Sequence, residues 1–325
     1  MAEYEYGKLV VMLIDHEFNT RRLLRGILAR YGIEKIHEYS STVEATNALQ
    51  TQTPDLIVVD ADQKEGGDAL KWVVQLRHNQ LPASPFVPVV VLTWQPTQPL
   101  LVRFTGSGAD DMLVKPFSQK QVSDRLQNLI EDRKKFVVTS DYVGPDRRRS
   151  PREGQQIPLV DVPNTLRLKA MGEYGKTDLN GEVEQALRAI NMQKIVRHGF
   201  QIAFLAVFAL HGLVADPPEK RAVDHLLRVT PVADDLLRRL PQGDIRGQAE
   251  TYMKVLAAAV EAVRADPARP LEHPQAVHQA AIGLVALTSR RTDLPAVEQE
   301  VMAAVTAYRN RLEQLAQAKA AATPA

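Results

Sequence analysis

Along the first 135 residues, continuous apolar runs alternate with stretches whose apolar positions recur every three or four residues. Lys8–Ile14 (KLVVMLI), Asp55–Asp60 (DLIVVD) and Pro88–Thr93 (PVVVLT) are β-branched and uninterrupted, the pattern of strands buried on both faces. Lys35–Tyr39 and Asp111–Val114 are shorter strand candidates. Phe18–Tyr31 places Leu23, Leu24, Ile27 and Leu28 at helical spacing and stops at Gly32. Thr42–Gln50, Asp68–His78, Leu100–Gly106 and a helix from Ser118 to about Lys134 complete the set. Strands separated by helices imply a parallel sheet with right-handed crossovers, covered on both faces. The expected class is α/β, five β–α units in an open doubly wound sheet, with an all-α bundle after it.

Residues 136–176 break the pattern with Gly144-Pro145, Arg147–Arg149, Ser150-Pro151, Pro158 and Pro163. They read as a linker or docking arm between a first domain at 1–135 and a helical domain at 177–318, with a frayed Ala-rich tail at 319–325. In the helical part the candidates are Glu182–Val214 (broken near Gly199), Glu219–Val229, Val232–Leu240, Arg246–Ala265, Gln275–Arg290 and Pro295–Ala318. Asp178 and Asp293 are candidate caps.

Composition narrows the chemistry. Of 325 residues none is Cys, which excludes disulfide scaffolds, cysteine-ligated zinc, iron–sulfur clusters and thiol catalysis. Forty Lys+Arg against 39 Asp+Glu leave a net charge of +1, no global attraction to nucleic acid or acidic membrane. The amino terminus has no basic region before its short apolar run, so it is not a secretory signal. The most apolar later stretch, Ile202–Val214, has 13 residues, fewer than the ~20 a bilayer-spanning helix needs. The expectation is a cytoplasmic protein without membrane contact, this stretch being a buried core helix.

In an open parallel sheet, functional groups gather at the carboxyl ends of the strands. Here those ends supply Asp15, Asp60, Thr93 and Lys115. Carboxylates on adjacent loops suit a hard divalent cation such as Mg2+. A lysine holds a phosphoryl oxygen as a point charge, and a threonine hydroxyl donates to another. The set suits phosphoryl transfer to a carboxylate.

Four pieces in order, VMLID (Val11–Asp15) followed by Arg21-Arg22, PDLIVVD (Pro54–Asp60), VVVLT (Val89–Thr93) and GADDMLVKPF (Gly108–Phe117), resemble the receiver domain of two-component response regulators over residues 7–134. The resemblance implies the CheY-like fold and a Mg2+ cofactor. It makes Asp60 the phospho-acceptor, Asp15 an acidic metal ligand and Asp62 a ligand through its backbone carbonyl. Thr93 becomes the hydroxyl that turns toward the phosphoryl group, Lys115 its cationic partner, and Lys115-Pro116 the site of a cis peptide. Three departures stand out. The second acid after the first strand is His16, with Glu17 next in line. The switch aromatic is replaced by Met112, and the loop after Asp60 lacks the usual Met-Pro.

The implied function is a two-component response regulator, a regulatory phospho-acceptor rather than an enzyme. Its partners would be a histidine kinase or phosphotransfer protein, a downstream protein reached through the helical domain, and a second copy of itself. A phosphorylation-independent scaffold on a degenerate receiver is the alternative, with Lys115 merely pairing Asp60. A DNA-binding regulator and a phosphotransfer hybrid are further ones, but no helix-turn-helix or HxxKG pattern supports them. Arg147, Arg148, Arg149 and Arg152 are candidate docking residues that pair with acids. Arg148 and Arg152 have RxxxR spacing as in cyclic-di-GMP-binding PilZ domains, without the β-barrel motif that should follow.

Overall fold

The computed structural model describes residues 4–62, 67–148 and 158–321. The chain forms two compact units, residues 1–190 and 191–325.

The first unit is built on β1 (Val10–Ile14), α1 (Phe18–Arg30), β2 (Lys35–Tyr39), α2 (Thr42–Ala48), β3 (Leu56–Asp60), α3 (Ala69–Arg77), β4 (Val89–Thr93), α4 (Gln98–Ser107), β5 (Asp111–Val114) and α5 (Gln119–Glu131). All neighbouring strands pair in parallel, in the order β2-β1-β3-β4-β5. This is the open doubly wound sheet expected from the alternation of runs, and the CheY-like receiver fold that the resemblance implied. Every residue of β3 and β4 is buried, which is why those strands read as unbroken apolar runs rather than as alternation. Alternate side chains feed two cores, one holding Val11, Leu13, Val58 and Val90, the other Met12, Ile57, Val59 and Val89. Leu24, Ile27 and Leu28 of α1 are buried as the spacing predicts, whereas Leu23 faces solvent. At ~100° per residue, positions 23, 24, 27 and 28 span ~140° of the helix, a wider arc than the buried stripe, and Leu23 lies at its edge.

Residues 136–148 and 158–176 are ordered where the sequence shows no period. They contain β6 (Phe136–Val138), β7 (Val143–Pro145), β8 (Leu159–Val160) and α6 (Thr165–Ala170). The three strands form an antiparallel sheet in the order β7-β6-β8. Strands of two or three residues are too short to display a hydrophobic period, so the Pro and Gly content reads as linker. Phe136, Val138, Val143 and Val160 close a core with Phe86 and with Ala186 and Ile190 of α7 (Leu179–Leu213).

The Phe136 ring lies beside two guanidiniums, with Arg77 at 5.3 Å and Arg133 at 5.2 Å from its centroid. Both arginines also bind the buried Asp110, Arg77 at 2.8 Å and Arg133 at 2.7 Å. Burial drags the Arg77 guanidinium down to about 10, against the opposing pull of Asp110. Three carbonyls, of Pro85, Val87 and Gly108, accept three more of its five N–H groups. Each nitrogen of the buried guanidinium thus has a partner, the condition under which such a charge is tolerated.

The second unit holds the rest of α7 with α8 (Lys220–Leu227), α9 (Val229–Arg239), α10 (Asp244–Ala265), α11 (Pro274–Ser289) and α12 (Leu294–Ala321). It is all-α, as predicted. Asp178 and Asp293 cap as expected, accepting from the amides of Gly181 and Ala296. The expected break near Gly199 is absent: α7 runs unbroken for 35 residues. Gly199 serves packing instead, since a Cβ there would lie 2.1 Å from Thr288 Oγ1 of α11. The 13-residue apolar stretch is accordingly part of a longer helix. Among the described residues, α7 is the one helix long and apolar enough to cross a membrane by length and composition. Its Ile195, Ile202, Leu205, Ala206 and Leu213 lie in the core of the helical unit.

Candidate functional site

The parallel register sets the site. Val11–Ile14 of β1 pair with Leu56–Val59 of β3, so Asp15 and Asp60 follow side by side at the strand ends. Asp60 is level with Leu92, and Thr93 with Val114, which brings Thr93 and Lys115 to the same edge. The order places β1 between β2 and β3, so the chain reverses its winding there and leaves a crevice at the carboxyl ends.

Four buried polar residues meet in that crevice: Asp15, Asp60, Thr93 and Lys115. Lys115 Nζ lies 2.7 Å from Asp15 Oδ2 and 3.0 Å from Asp60 Oδ1. Burial pulls the ammonium down, but the bonds to Asp15 and Asp60 outweigh it and raise the lysine above its usual range. For Asp15 burial wins: the carboxyl is pushed up, against the stabilising bond from Lys115 and with a further push from Asp60. The Lys115-Pro116 peptide is cis, as the resemblance implied.

His16 Nδ1 lies 3.1 Å from Asp60 Oδ2 and 3.8 Å from Asp15 Oδ1, with the ring 48% exposed. Asp15, His16 and Asp60 each present one potential ligand atom, all within 4.8 Å of one another. Among the described residues this is the group that could hold a metal ion, and it contains the histidine rather than Glu17. The Glu17 carboxylate accepts from Thr20 Oγ1 at 2.9 Å and stands 3.9 Å from Lys115 Nζ. That hydroxyl bond, ahead of a small opposing effect of burial and the charge of Lys115, holds the Glu17 carboxyl below its usual range.

Asp62 enters through its side chain and its amide. Its N–H donates to Asp60 Oδ1 at 3.3 Å. Its carboxylate accepts from Thr93 Oγ1 at 3.0 Å and from the Trp94 N–H at 2.5 Å. Sequence reasoning missed this carboxylate and Trp94, whose ring lies 5.5 Å from Lys115 Nζ. The available signal was position alone: one is two residues after Asp60, the other directly after Thr93. Met112 is half-buried and packs against the core beneath α3 and α4.

Of the four arginines picked out in the arm, Arg149 and Arg152 lie outside the described residues. Arg147 stacks on Phe104 of α4, 4.3 Å from the ring centroid, and donates to the carbonyl of Ala109. It therefore meets an aromatic face and a carbonyl rather than an acid, because β7 crosses the α4–β5 turn at Gly108. Arg148 forks onto Asp146 with two 2.8 Å bonds.

Residues 11–127 match the model of the response regulator receiver domain, and they form such a domain. Chemotaxis protein CheY of Thermotoga maritima is 26% identical over 125 residues, 38% of this chain and 98% of that protein. The phosphate regulon transcriptional regulatory protein PhoB of Escherichia coli is 29% identical over 119 residues, 36% of this chain and 49% of PhoB. The cyclic di-GMP phosphodiesterase response regulator RpfG of Xanthomonas campestris is 24% identical over 124 residues, 38% of this chain and 32% of RpfG. The chain thus spans about a third to a half of the length of RpfG and PhoB. Among solved structures, the chemotaxis response regulator CheY4 of Vibrio cholerae aligns with a TM-score of 0.33 at 21% identity, over 37% of this chain and 97% of that one. The receiver domain of sensor histidine kinase PA1611 from Pseudomonas aeruginosa, solved with a magnesium ion coordinated in its active site cleft, aligns with a TM-score of 0.33 at 19% identity, over 37% and 95%.

Proposed function

We propose that the protein is a two-component response regulator whose receiver accepts a phosphoryl group on Asp60 from a histidine kinase or phosphotransfer protein. The observation that carries the reading is Lys115 Nζ bridging the buried carboxylates of Asp15 and Asp60 beside Thr93. An oxygen of Asp60 attacks phosphorus, the P–N bond of the donor phosphohistidine breaks, and its electron pair returns to the imidazole, which takes up a proton. Lys115 and Thr93 stabilise the acyl phosphate formed, Lys115 by charge and Thr93 by its O–H.

The donor set fits a divalent cation, since two carboxylates converge within 4.8 Å. Asp15, Asp60 and the Asp62 carbonyl would hold Mg2+, with Glu17 as an outer candidate. The ion neutralises charge between carboxylate and phosphoryl group when bound. Phosphorylation adds about −1.5 to −2 charges. That charge biases the β4–α4–β5 side, where Met112 repacks, between two arrangements. The helical unit then engages a downstream protein in the cytoplasm, and the receiver pairs with a second copy. In this reading the chain regulates rather than catalyses, and neither nucleic acid nor membrane is its target.

The test is incubation with acetyl phosphate and Mg2+, followed by intact mass and peptide mapping. The expected result is one phosphoryl group on Asp60, lost in Asp60→Asn. Its absence with every donor and divalent cation tried overturns the reading. A second reading, a phosphorylation-independent scaffold, is favoured by His16 sitting 3.1 Å from Asp60 where a second acid would serve a cation better. It predicts that Asp60→Asn leaves partner binding unchanged.

A further inference from the structure

The hydroxyl of Thr93 has one proton to give, and it is already given. Thr93 Oγ1 donates to Asp62 Oδ1 at 3.0 Å and accepts from the Gln95 N–H at 3.2 Å. The next donor on the same loop, the Trp94 N–H, is taken by Asp62 Oδ2 at 2.5 Å. One carboxylate thus holds both donors that the end of β4 offers to an anion above Asp60. The Asp62 main chain is fixed at the same place by its own N–H on Asp60 Oδ1, 3.3 Å away.

We infer that the Asp62 carboxylate is an internal occupant of the phosphoryl-binding donors, which an incoming phosphoryl group on Asp60 must displace. The inference rests on the reading of Asp60 as phospho-acceptor. A tetrahedral dianion and a carboxylate cannot share one O–H proton, and like charges a few ångströms apart repel. Asp62 therefore does two things. It holds the β4–α4 loop by anionic contact before any phosphoryl group arrives, and it slows arrival by competing for Thr93 and Trp94. Lys115 is outside this competition, being engaged by Asp15 and Asp60.

The experiment measures the rate of phosphoryl incorporation at Asp60 from acetyl phosphate with Mg2+ in the full chain, native against Asp62→Asn and Asp62→Ala. Both variants keep the backbone carbonyl at 62. Asp62→Asn keeps the shape and one acceptor without charge, while Asp62→Ala frees both donors. The expected result is at least a tenfold gain for Asp62→Ala and a smaller one for Asp62→Asn. Amide hydrogen exchange at Trp94, read without any phosphate, should quicken in Asp62→Ala. Equal or lower rates in the variants, with Asp60 still modified, overturn the inference and leave the receiver reading standing. No phosphoryl group in any of the three proteins overturns the receiver reading and this inference with it. An unchanged Trp94 exchange rate removes the contact on which the inference stands.

Discussion

His16 Nδ1 lies 3.1 Å from Asp60 Oδ2, so an imidazole faces the Asp60 carboxylate within the group of side chains that could hold a cation. Neutral imidazole is a poor ligand for Mg2+ and a good one for softer divalent ions. His16→Asp is expected to raise Mg2+ affinity at least tenfold, about 1.4 kcal/mol. Quenching of Trp94 fluorescence during Mg2+ titration checks it, because that ring sits 5.5 Å from Lys115 Nζ. Equal dissociation constants for the two proteins would count against any cation role for position 16.

Arg147 ties β7 to α4 by holding its guanidinium over the Phe104 ring. A cation–π contact of this kind contributes about 0.5–2 kcal/mol, and planarity matters. Arg147→Ala should lower the stability of the first unit by about 1–2 kcal/mol and speed amide exchange in β6 and β7, with Arg147→Lys falling between. A variant with native exchange rates in those strands would show that the short sheet holds to the receiver without this residue.

Arg77 is the largest fully buried side chain and supports four acceptors. Arg77→Met removes one cation from Asp110 and strips three carbonyls of a donor. The expected cost is about 3–5 kcal/mol, the range for breaking a buried pair. Urea unfolding followed at the first unit measures it. A loss below about 1 kcal/mol would mean that Arg133 alone satisfies Asp110.

The helical unit carries an acid-sensitive pair. His198 is buried, with Nε2 2.7 Å from Asp235 Oδ2. Burial lowers the imidazole below 6.5, an effect that the bond from Asp235 only partly offsets. Burial works to raise Asp235, but bonds and charge from Arg239 and then His198 bring it down to about 2. Both groups have folded values below their unfolded ones, so both contributions are present at higher pH and shrink on acidification. The histidine contribution fades as pH falls through 6.5, and that of the aspartate between 3.8 and about 2. Discounted for the partial exposure of Asp235, the acid-side loss is about 1 kcal/mol. Asp235→Asn should flatten the unfolding free energy between pH 4 and 2; a native pH profile in that variant refutes the assignment.

Gly199→Ala tests why α7 carries a glycine at that point. The new Cβ would meet Thr288 Oγ1 at 2.1 Å, so a loss of about 1–3 kcal/mol is expected from overpacking. Thr288→Ala in the same chain should recover part of it, a coupling that a double-mutant cycle reads directly. Independent, additive losses would argue that the helices do not approach through Gly199.

The sequence alone determined what is written in local periods and at strand ends. Buried parallel strands need unbroken apolar runs, so β1, β3 and β4 and the α/β class were readable, and with them the alignment of Asp15, Asp60, Thr93 and Lys115 on one edge. Caps such as Asp178 and Asp293 were readable because they act within three residues. Only the tertiary structure decided which partners those side chains chose. Asp62 reaches Thr93 across 31 positions, Arg147 donates to a carbonyl 38 away, and His198 meets Asp235 at 37. Such pairings depend on how separate elements stack, and a local pattern holds no record of a contact made by a distant strand or helix. For the same reason Gly199 looks like a helix break in one dimension and is a close crossing in three.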